Sequence, residues 1–330
     1  MEHLIDAYND RMTSTRASIA VACALAALAL VVAGCAPVSE PQAAAPALAV
    51  TAVAITNTIT VDGVNRDYLL RTPATAVSEP RPLLLVVHGA GGNAGKAEKA
   101  TGMTALSDAG GFIVAYPQGT QAADVAGEYS WNAGACCANP VKNNVDDVAY
   151  IKALIADIQT QQSVDPARIY IAGFSNGGML AYRLACELPG EFAGIAVVSG
   201  AFNVSDCATA GATSVLMIHG TGDKTVPYSG GATNERTALR FGQWENASLA
   251  MAVDFWSNLD GCGTAAPFAV VEGGVTRKSF AACADEKKVD VVTIADGGHI
   301  WPIKAESGFD ASSLITEFFD LAQPSTVLAR

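Results

Sequence analysis

Residues 168–177 read RIYIAGFSNG, a β-branched apolar run that ends in a G-x-S-x-G motif. The run predicts a strand, and Met179 to Glu187 beyond the motif predicts a helix. Glycines on both sides of the serine let strand and helix approach closely, and the tight turn projects the hydroxyl above the sheet. The motif therefore predicts Ser175 as a nucleophile. The alternative is a glycine-rich turn that contains a buried serine.

The alternation of strands and helices continues on both sides of this motif. Strands are predicted at 50–61, 67–71, 83–87, 111–116, 168–172, 195–199, 214–219 and 289–294, and helices at 146–161, 179–187, 247–258 and 313–321. Asn144 is the predicted N-cap of the helix over 146–161, with Asp146 and Asp147 in its first turn. Continuous apolar runs such as LLLVV (83–87) are typical of strands buried on both faces. The pattern predicts an α/β domain with a doubly wound, mostly parallel sheet.

Composition narrows the functional classes. Of the 330 residues, 50% are hydrophobic and 16% are charged, and the formal net charge is -12. The apolar content excludes a disordered chain, and the negative charge argues against nucleic acid as a partner. The chain is long enough for a single large domain.

The N-terminal segment predicts export. Residues 17–34 are apolar and uncharged, and Val32-Ala33-Gly34-Cys35 resembles a bacterial lipobox. We expect a lipoprotein signal peptide at 1–34, lipidation at Cys35, an Ala/Pro-rich tether at 35–50 and a catalytic domain at 51–330. The alternative is a transmembrane anchor. We expect an exported protein that is membrane-anchored, periplasmic or extracellular. The lipid on Cys35 would be its only contact with the membrane.

A serine nucleophile needs a base, and three histidines follow the signal segment. His88 ends a strand in a Gly-rich loop that is better suited to presenting backbone N–H groups, and His219 is interpreted as a packed strand-end residue. His299 lies in the loop after the last predicted strand. Only His299 follows both Ser175 and a loop acid in the chain, so it is the predicted general base.

Asp223, in a Gly-rich turn after the strand over 214–219, is the predicted acid. The alternative is an Asx-turn aspartate. The order Ser175, Asp223, His299 is the chain order of an α/β-hydrolase triad, and each member follows a strand. Three other aspartates are weaker candidates for this role. Asp254 lies in a predicted helix, Asp260 lies beyond the end of that helix, and Asp296 is only three residues from His299. The Asp146-Asp147 pair is interpreted as helix N-terminal chemistry.

The backbone N–H groups of Asn176 and Ala90 are the predicted oxyanion donors. Trp131 and Trp301 are predicted to line a substrate pocket, with core packing as the alternative for Trp131. No Cys/His zinc spacing is present, and we expect neither a metal nor a cofactor.

Seven segments together resemble the polyhydroxybutyrate depolymerase-like esterases, which overlap the feruloyl and acetyl-xylan esterases of carbohydrate esterase family one. They are HGAGGNA (88–94), WNAGACC (131–137), VDDVAYI (145–151), GFSNGGMLAYRLACE (173–187), HGTGDKTVPYSGG (219–231), FWSNLDGC (255–262) and GGHIWP (297–302). The resemblance spans about residues 80–320. It implies an α/β-hydrolase fold and a serine esterase in which Ser175, Asp223 and His299 form the triad.

Two departures from this family bear on the substrate. Many relatives carry a bulkier residue or a cysteine where this chain has Ala90, and only 31 residues follow His299. The resemblance therefore implies hydroxyalkanoate oligomers or small esters rather than crystalline polymer, with feruloyl or acetyl-xylan esters as the alternative. A serine peptidase and a non-catalytic ligand-binding lipoprotein are rivals from other classes.

Eight cysteines are unusual for a reducing compartment. Cys23 would leave with the signal peptide and Cys35 would carry the lipid. By proximity in sequence, the six others are expected to pair as Cys186–Cys207, Cys262–Cys283 and, as a vicinal bridge, Cys136–Cys137.

Overall fold

The strands follow from the apolar runs of the sequence. The computed structural model describes residues 53–74, 79–123, 125–208, 210–264, 269–280 and 282–322. The predicted signal peptide, Cys23, Cys35 and the tether lie outside the described residues. The strands in these ranges are β1 (Val53–Val61), β2 (Val64–Thr72), β3 (Arg81–Val87), β4 (Ile113–Pro117), β5 (Thr120–Gln121), β6 (Tyr129–Ser130), β7 (Val164–Phe174), β8 (Gly194–Val198), β9 (Ser214–Gly220), β10 (Gly231–Ala232), β11 (Glu245–Asn246), β12 (Ala269–Glu272), β13 (Val275–Phe280) and β14 (Val289–Ile294).

Ten of these strands form one sheet in the order β1-β2-β4-β3-β7-β8-β9-β14-β13-β12. The six central strands, from β4 to β14, are parallel, and antiparallel strands flank them on both sides. The first two strands, β1 and β2, form a hairpin around the Asp62-Gly63 turn. The predicted mostly parallel α/β sheet is therefore confirmed.

Helices cover both faces of the sheet. They are α1 (Ala94–Thr101), α2 (Met103–Gly110), α3 (Ala138–Lys142), α4 (Asp147–Gln161), α5 (Asn176–Glu187), α6 (Glu235–Phe241), α7 (Leu249–Leu259), α8 (Lys304–Ser307) and α9 (Ala311–Phe318), with a 3-10 turn at Ala284–Glu286. Within the described ranges, none of these helices has the length and apolarity needed to cross a bilayer.

Alternation along the central strands builds two separate cores. In β3, Leu83 and Leu85 point into one core, whereas Leu84 and Val86 point into the other. Successive side chains of a strand lie on opposite faces, so a run of apolar residues serves both cores at once. This explains why the central strands read as uninterrupted apolar stretches.

The N-cap of α4 and the start of α5 differ from the sequence prediction. The N-cap of α4 is Asp146, whose side chain accepts a hydrogen bond from Ala149 N at 2.8 Å, whereas Asn144 adopts a left-handed conformation with φ 47°. The helix α5 begins at Asn176, three residues before the predicted Met179, because the turn at Ser175 leads directly into the helix. Both differences come from the backbone at the turn, which apolar periodicity does not report.

Asp260, the C-cap of α7, lets the fold be tested by pH. Its side chain is fully buried, Oδ1 accepts a hydrogen bond from Thr213 N at 3.1 Å, and Oδ2 has no partner among the described residues. Burial raises the pKa of Asp260 from 3.8 to about 6. A raised carboxyl pKa means that the folded chain holds the proton more tightly than the unfolded chain, so this group destabilises the fold increasingly as pH rises from about 4 to about 6.

We expect Asp260→Asn to relieve that pH-dependent penalty. Melting curves at pH 4 and pH 7 should show that the stability of the variant relative to wild type rises by about 2 kcal/mol of unfolding free energy between the two pH values. Asp254→Asn, on the exposed side of the same helix, is the matched control and should show no such gain. An equal difference between Asp260→Asn and wild type at both pH values would contradict the prediction.

Candidate active site

Ser175 occupies a strained turn between β7 and α5. Its φ is 54° and its ψ is -120°, a positive-φ conformation that non-glycine residues rarely adopt. The flanking glycines are required by close backbone contacts: a Cβ on Gly173 would lie 2.2 Å from Gly177 O, and one on Gly177 would lie 2.5 Å from His88 O. The G-x-S-x-G spacing thus presents the serine at the carboxyl end of a central strand.

The structure brings Ser175, His299 and Asp223 together. His299 Nε2 lies 2.9 Å from Ser175 Oγ, and His299 Nδ1 lies 2.7 Å from Asp223 Oδ2. Because a carboxylate only accepts hydrogen bonds, Nδ1 carries the proton and Nε2 is free to accept one from the serine. The three residues come from the turns after β7, β9 and β14. This arrangement can move a proton from the hydroxyl to the imidazole.

Asp223 is held as a carboxylate by several donors. Its Oδ1 accepts hydrogen bonds from the backbone N–H groups of Thr225 and Val226, and His219 Nε2 lies 3.4 Å from its Oδ2. Burial alone would raise the pKa of Asp223, but the nearby His219 ring and the hydrogen bonds from His299 and Val226 outweigh it and hold the pKa well below its usual range. The residue is thus an ionised acid that can orient an imidazole.

The other two histidines are fixed by their own hydrogen bonds. His88 Nε2 accepts from Gly119 N at 3.1 Å, so its Nδ1 carries the proton and donates to Gly89 O at 2.8 Å. Burial lowers the pKa of His88 to about 4, which keeps the ring neutral. His219 Nε2 donates to Val226 O at 2.9 Å. Both rings are buried and neither contacts Ser175 in the hydrogen-bond network of the described residues.

The two backbone N–H groups predicted as oxyanion donors belong to segments that adjoin Ser175. Asn176 is the first residue of α5, so its N–H has no acceptor inside the helix and lies at the positive end of the helix dipole. The loop of residues 88–92 passes beside the serine, since a Cβ on Gly89 would lie 3.1 Å from Ser175 Cβ. Gly91 and Gly92 donate to backbone carbonyls, whereas the Ala90 N–H has no acceptor in the part of the chain that the structure describes.

A cleft of about 480 Å³ opens between this loop and the His299 loop. Apolar side chains line most of it, and two charged residues, Lys96 and Glu306, also border it; the apolar ones include Ala97, Phe174, Ile300, Trp301 and Ile303. Trp301 lies on the cleft wall, where its Nε1 donates to Ser312 Oγ at 3.0 Å. The volume is that of a small-molecule pocket.

The predicted pocket role of Trp131 is wrong. Its side chain is fully buried, and its ring lies 4.9 Å from that of His88 and 6.4 Å from that of Tyr150. The Trp131 Nε1 donates to His88 O at 2.8 Å. A buried indole usually places its N–H on an acceptor, and here the acceptor lies in the protein rather than in the cleft.

The six cysteines outside the N-terminal segment are bonded as Cys136–Cys137, Cys186–Cys207 and Cys262–Cys283. The last two each span 21 residues. Cys136 lies close to the site, because Asn176 Nδ2 donates to Cys136 O at 3.3 Å. The side chain of Asn176 is a contact that the sequence reasoning missed, since the G-x-S-x-G pattern leaves this position open.

Asp147, at the start of α4, has a structural partner. Asp147 is fully buried and forms an ion pair with Arg66 at 2.7 Å. Burial raises its pKa, and the charge of Arg66 opposes that rise. Across the described ranges, no group of three or more His, Cys, Asp or Glu side chains could hold a metal ion.

Comparisons with known proteins agree with this architecture. The family model described as esterase PHB depolymerase matches residues 66–238, slightly more than half of the chain. An esterase designated NocK from Nocardia uniformis subsp. tsuyamanensis is 32% identical over 300 residues, covering 82% of this chain and 85% of that protein. Feruloyl esterase B of Piromyces equi is 31% identical over 229 residues, covering 66% of this chain but only 39% of its own length.

Among solved structures, an acetyl xylan esterase from Aspergillus awamori superposes with a TM-score of 0.56 over 81% of this chain and 100% of that one, at 14% identity. At that identity the superposition supports the α/β-hydrolase fold alone. The family match and the similarity to NocK over 82% of this chain establish membership independently of it. The chain therefore belongs to the esterase PHB depolymerase family and is a carboxylic ester hydrolase.

Proposed function

We propose that this chain is a serine esterase that hydrolyses hydroxyalkanoate oligomers or small carboxylic esters through an acyl-enzyme. The observation that carries the proposal is the unbroken hydrogen-bond chain from Ser175 Oγ through His299 to Asp223. Its geometry meets the requirement for a nucleophile within reach of a base that a third group orients.

The residues of this chain account for each step. His299 Nε2 takes the Ser175 proton as Oγ attacks the ester carbonyl, and the new C–O bond gives a tetrahedral oxyanion. The N–H groups of Asn176 and Ala90 receive the charge. His299 then protonates the departing alcohol as its bond to carbon breaks, which leaves the acyl group on Ser175. A water molecule, deprotonated by His299, hydrolyses that ester and restores the serine.

The cleft supports small, largely apolar substrates. A volume of about 480 Å³ lined by alanine, isoleucine and aromatic side chains suits short acyl or alkyl groups. The family model supports hydroxyalkanoate oligomers. A feruloyl or acetyl-xylan ester is the second candidate, because Piromyces equi feruloyl esterase B shares 31% identity over two thirds of this chain.

A substrate panel tests the proposal. We expect turnover of short p-nitrophenyl esters and of hydroxybutyrate dimers to tetramers, and slower turnover of crystalline hydroxybutyrate polymer. Methyl ferulate and acetylated xylan report on the second candidate. A peptide p-nitroanilide is the control for a serine peptidase, and activity confined to that substrate would contradict the ester assignment.

We propose in addition that the protein works outside the cytoplasm. Three disulfides are typical of an oxidising compartment. Lipid attachment at Cys35 would keep the domain at the membrane surface through its tether.

A further inference from the structure

The two predicted oxyanion donors share one support. We propose that the loop of residues 131–137, here named the bracing loop, holds both of them in place through the side chains of Trp131 and Asn176. These two side chains act as positioning residues, and the inference rests on the proposed serine mechanism. The bracing loop lies behind the site and does not line the cleft described above.

Trp131 fixes the first donor. Its Nε1 donates to His88 O at 2.8 Å, and His88 O belongs to the strand end that leads into Ala90. The indole also packs against the His88 ring, which is itself fixed by Gly119 N. The start of the loop that carries Ala90 is therefore held both through its backbone carbonyl and through its first side chain.

Asn176 fixes the second donor. Its side chain is 1% exposed, and its Oδ1 accepts from Trp131 N at 2.8 Å. Its Nδ2 faces two carbonyl oxygens of the same loop, Trp131 O at 3.2 Å and Cys136 O at 3.3 Å. The backbone N–H of the same residue is the predicted oxyanion donor beside Ser175. The side chain thus sets the position of its own backbone relative to Trp131.

The bracing loop is itself anchored from the side away from the cleft. Asn132 N donates to the buried Asp147 at 2.7 Å, and Arg183 Nη1 donates to Asn132 O at 2.7 Å. Ala133 N donates to Cys136 O at 2.7 Å, and the Cys136–Cys137 bond closes the end of the loop. A loop with this many fixed points can hold two other segments at a constant separation.

A second buried indole of the chain makes no such hydrogen bond within the described residues. Trp256 is as fully buried as Trp131, yet its Nε1 has no hydrogen-bond partner among the residues that the structure describes. It packs among Tyr182, Phe202 and Phe255. Trp256 is thus a buried indole whose N–H connects no two segments, which makes it the control for loss of the Trp131 N–H.

Trp131→Phe tests the proposal because it keeps an aromatic ring and removes the indole N–H that donates to His88 O. Loss of an oxyanion donor lowers kcat by about 10²–10³. In Trp131→Phe both oxyanion N–H groups remain but are displaced. We therefore expect a smaller loss, with kcat for p-nitrophenyl butyrate lower by about 10- to 100-fold. We expect KM to stay within about twofold, since ground-state binding uses the cleft.

Phenylboronic acid provides a second readout, since its tetrahedral adduct with Ser175 places an oxygen where the oxyanion forms. Its inhibition constant should rise in Trp131→Phe by the same factor by which kcat falls. The matched control is Trp256→Phe, which should lower the melting temperature without changing kcat or the boronate constant. Wild-type kcat and boronate binding in folded Trp131→Phe would overturn the proposal, as would an equal loss of kcat in Trp256→Phe.

Asn176→Ser provides an independent variant for the second donor. It should show the same coupled loss of kcat and boronate binding, and if Trp131→Phe does not fold, this variant decides the question. Failure of both variants to fold would assign the bracing loop a purely structural role and overturn the proposal. An active Ser175→Ala protein would contradict the serine mechanism itself. If Ser175→Ala is inactive but Trp131→Phe and Asn176→Ser keep wild-type activity, only the present inference is overturned.

Discussion

Ser175→Ala is expected to lower kcat for p-nitrophenyl butyrate by about 10⁵- to 10⁶-fold, because the acyl-enzyme can no longer form. The reaction that remains is direct attack by water within the oxyanion donors, which are left in place. The alanine methyl group fits the turn, since the backbone already accepts a Cβ at φ 54°. KM and melting temperature should therefore stay close to those of wild type. Stopped-flow and long-time hydrolysis assays cover the required range.

The chain offers a closely matched control in Ser199. This residue follows β8, the neighbour of β7, and it is a buried serine with φ 52°. Ser199→Ala makes the same chemical change in a similar backbone setting at the next strand end, without the contact to His299. It should retain wild-type kcat within about threefold. Similar losses in both variants would show that the effect of Ser175→Ala is structural and would contradict the nucleophile.

Asp223→Asn should be the second largest effect, with a loss of about 10³- to 10⁴-fold in kcat. An asparagine amide can present N–H to His299 Nδ1, which moves the ring proton to Nε2 and removes the acceptor that Ser175 needs. Its Oδ1 can still accept from Thr225 and Val226 N–H, so the turn should persist. The pH profile of kcat, together with a melting curve, separates this tautomer effect from unfolding.

Asp296→Asn is the control for the loss of a negative charge near the histidine. Asp296 lies three residues before His299, is exposed, and its backbone N–H donates to Thr221 Oγ1. We expect kcat to change by less than about threefold. Comparable losses for Asp223→Asn and Asp296→Asn would mean that net charge, rather than the hydrogen bond to Nδ1, supports the reaction.

Much of this arrangement follows from sequence because its signals are local. Strands that serve two cores must be apolar at every position, which makes runs such as 83–87 easy to identify. The glycines of G-x-S-x-G are fixed by contacts of 2.2 and 2.5 Å that no Cβ can enter. Chain order then selects Asp223 and His299, since both follow strands that end at the same edge of the sheet.

Other features depend on distant contacts and could not be predicted. The sequence indicates that Trp131 lies near the site, but only the folded chain shows its N–H on His88 O, 43 residues away. The helix α6 buries none of its side chains fully, so it lacks the apolar stripe that predicts a helix. The N-cap of α4 is Asp146 rather than the predicted Asn144, because the turn before the helix places Asn144 in a left-handed conformation.

The positions of the triad residues along the chain also have a kinetic consequence. The Ser175–His299 contact joins residues 124 apart, and the His299–Asp223 contact joins residues 76 apart. Contacts of such separation form late, after the intervening segments have found their places. Since β14 is the strand that delivers His299, a folding chain can show native helices and most of its sheet while still being unable to cleave an ester. The recovery of ester hydrolysis during refolding therefore reports when β14 joins the sheet. It should lag behind the recovery of secondary structure.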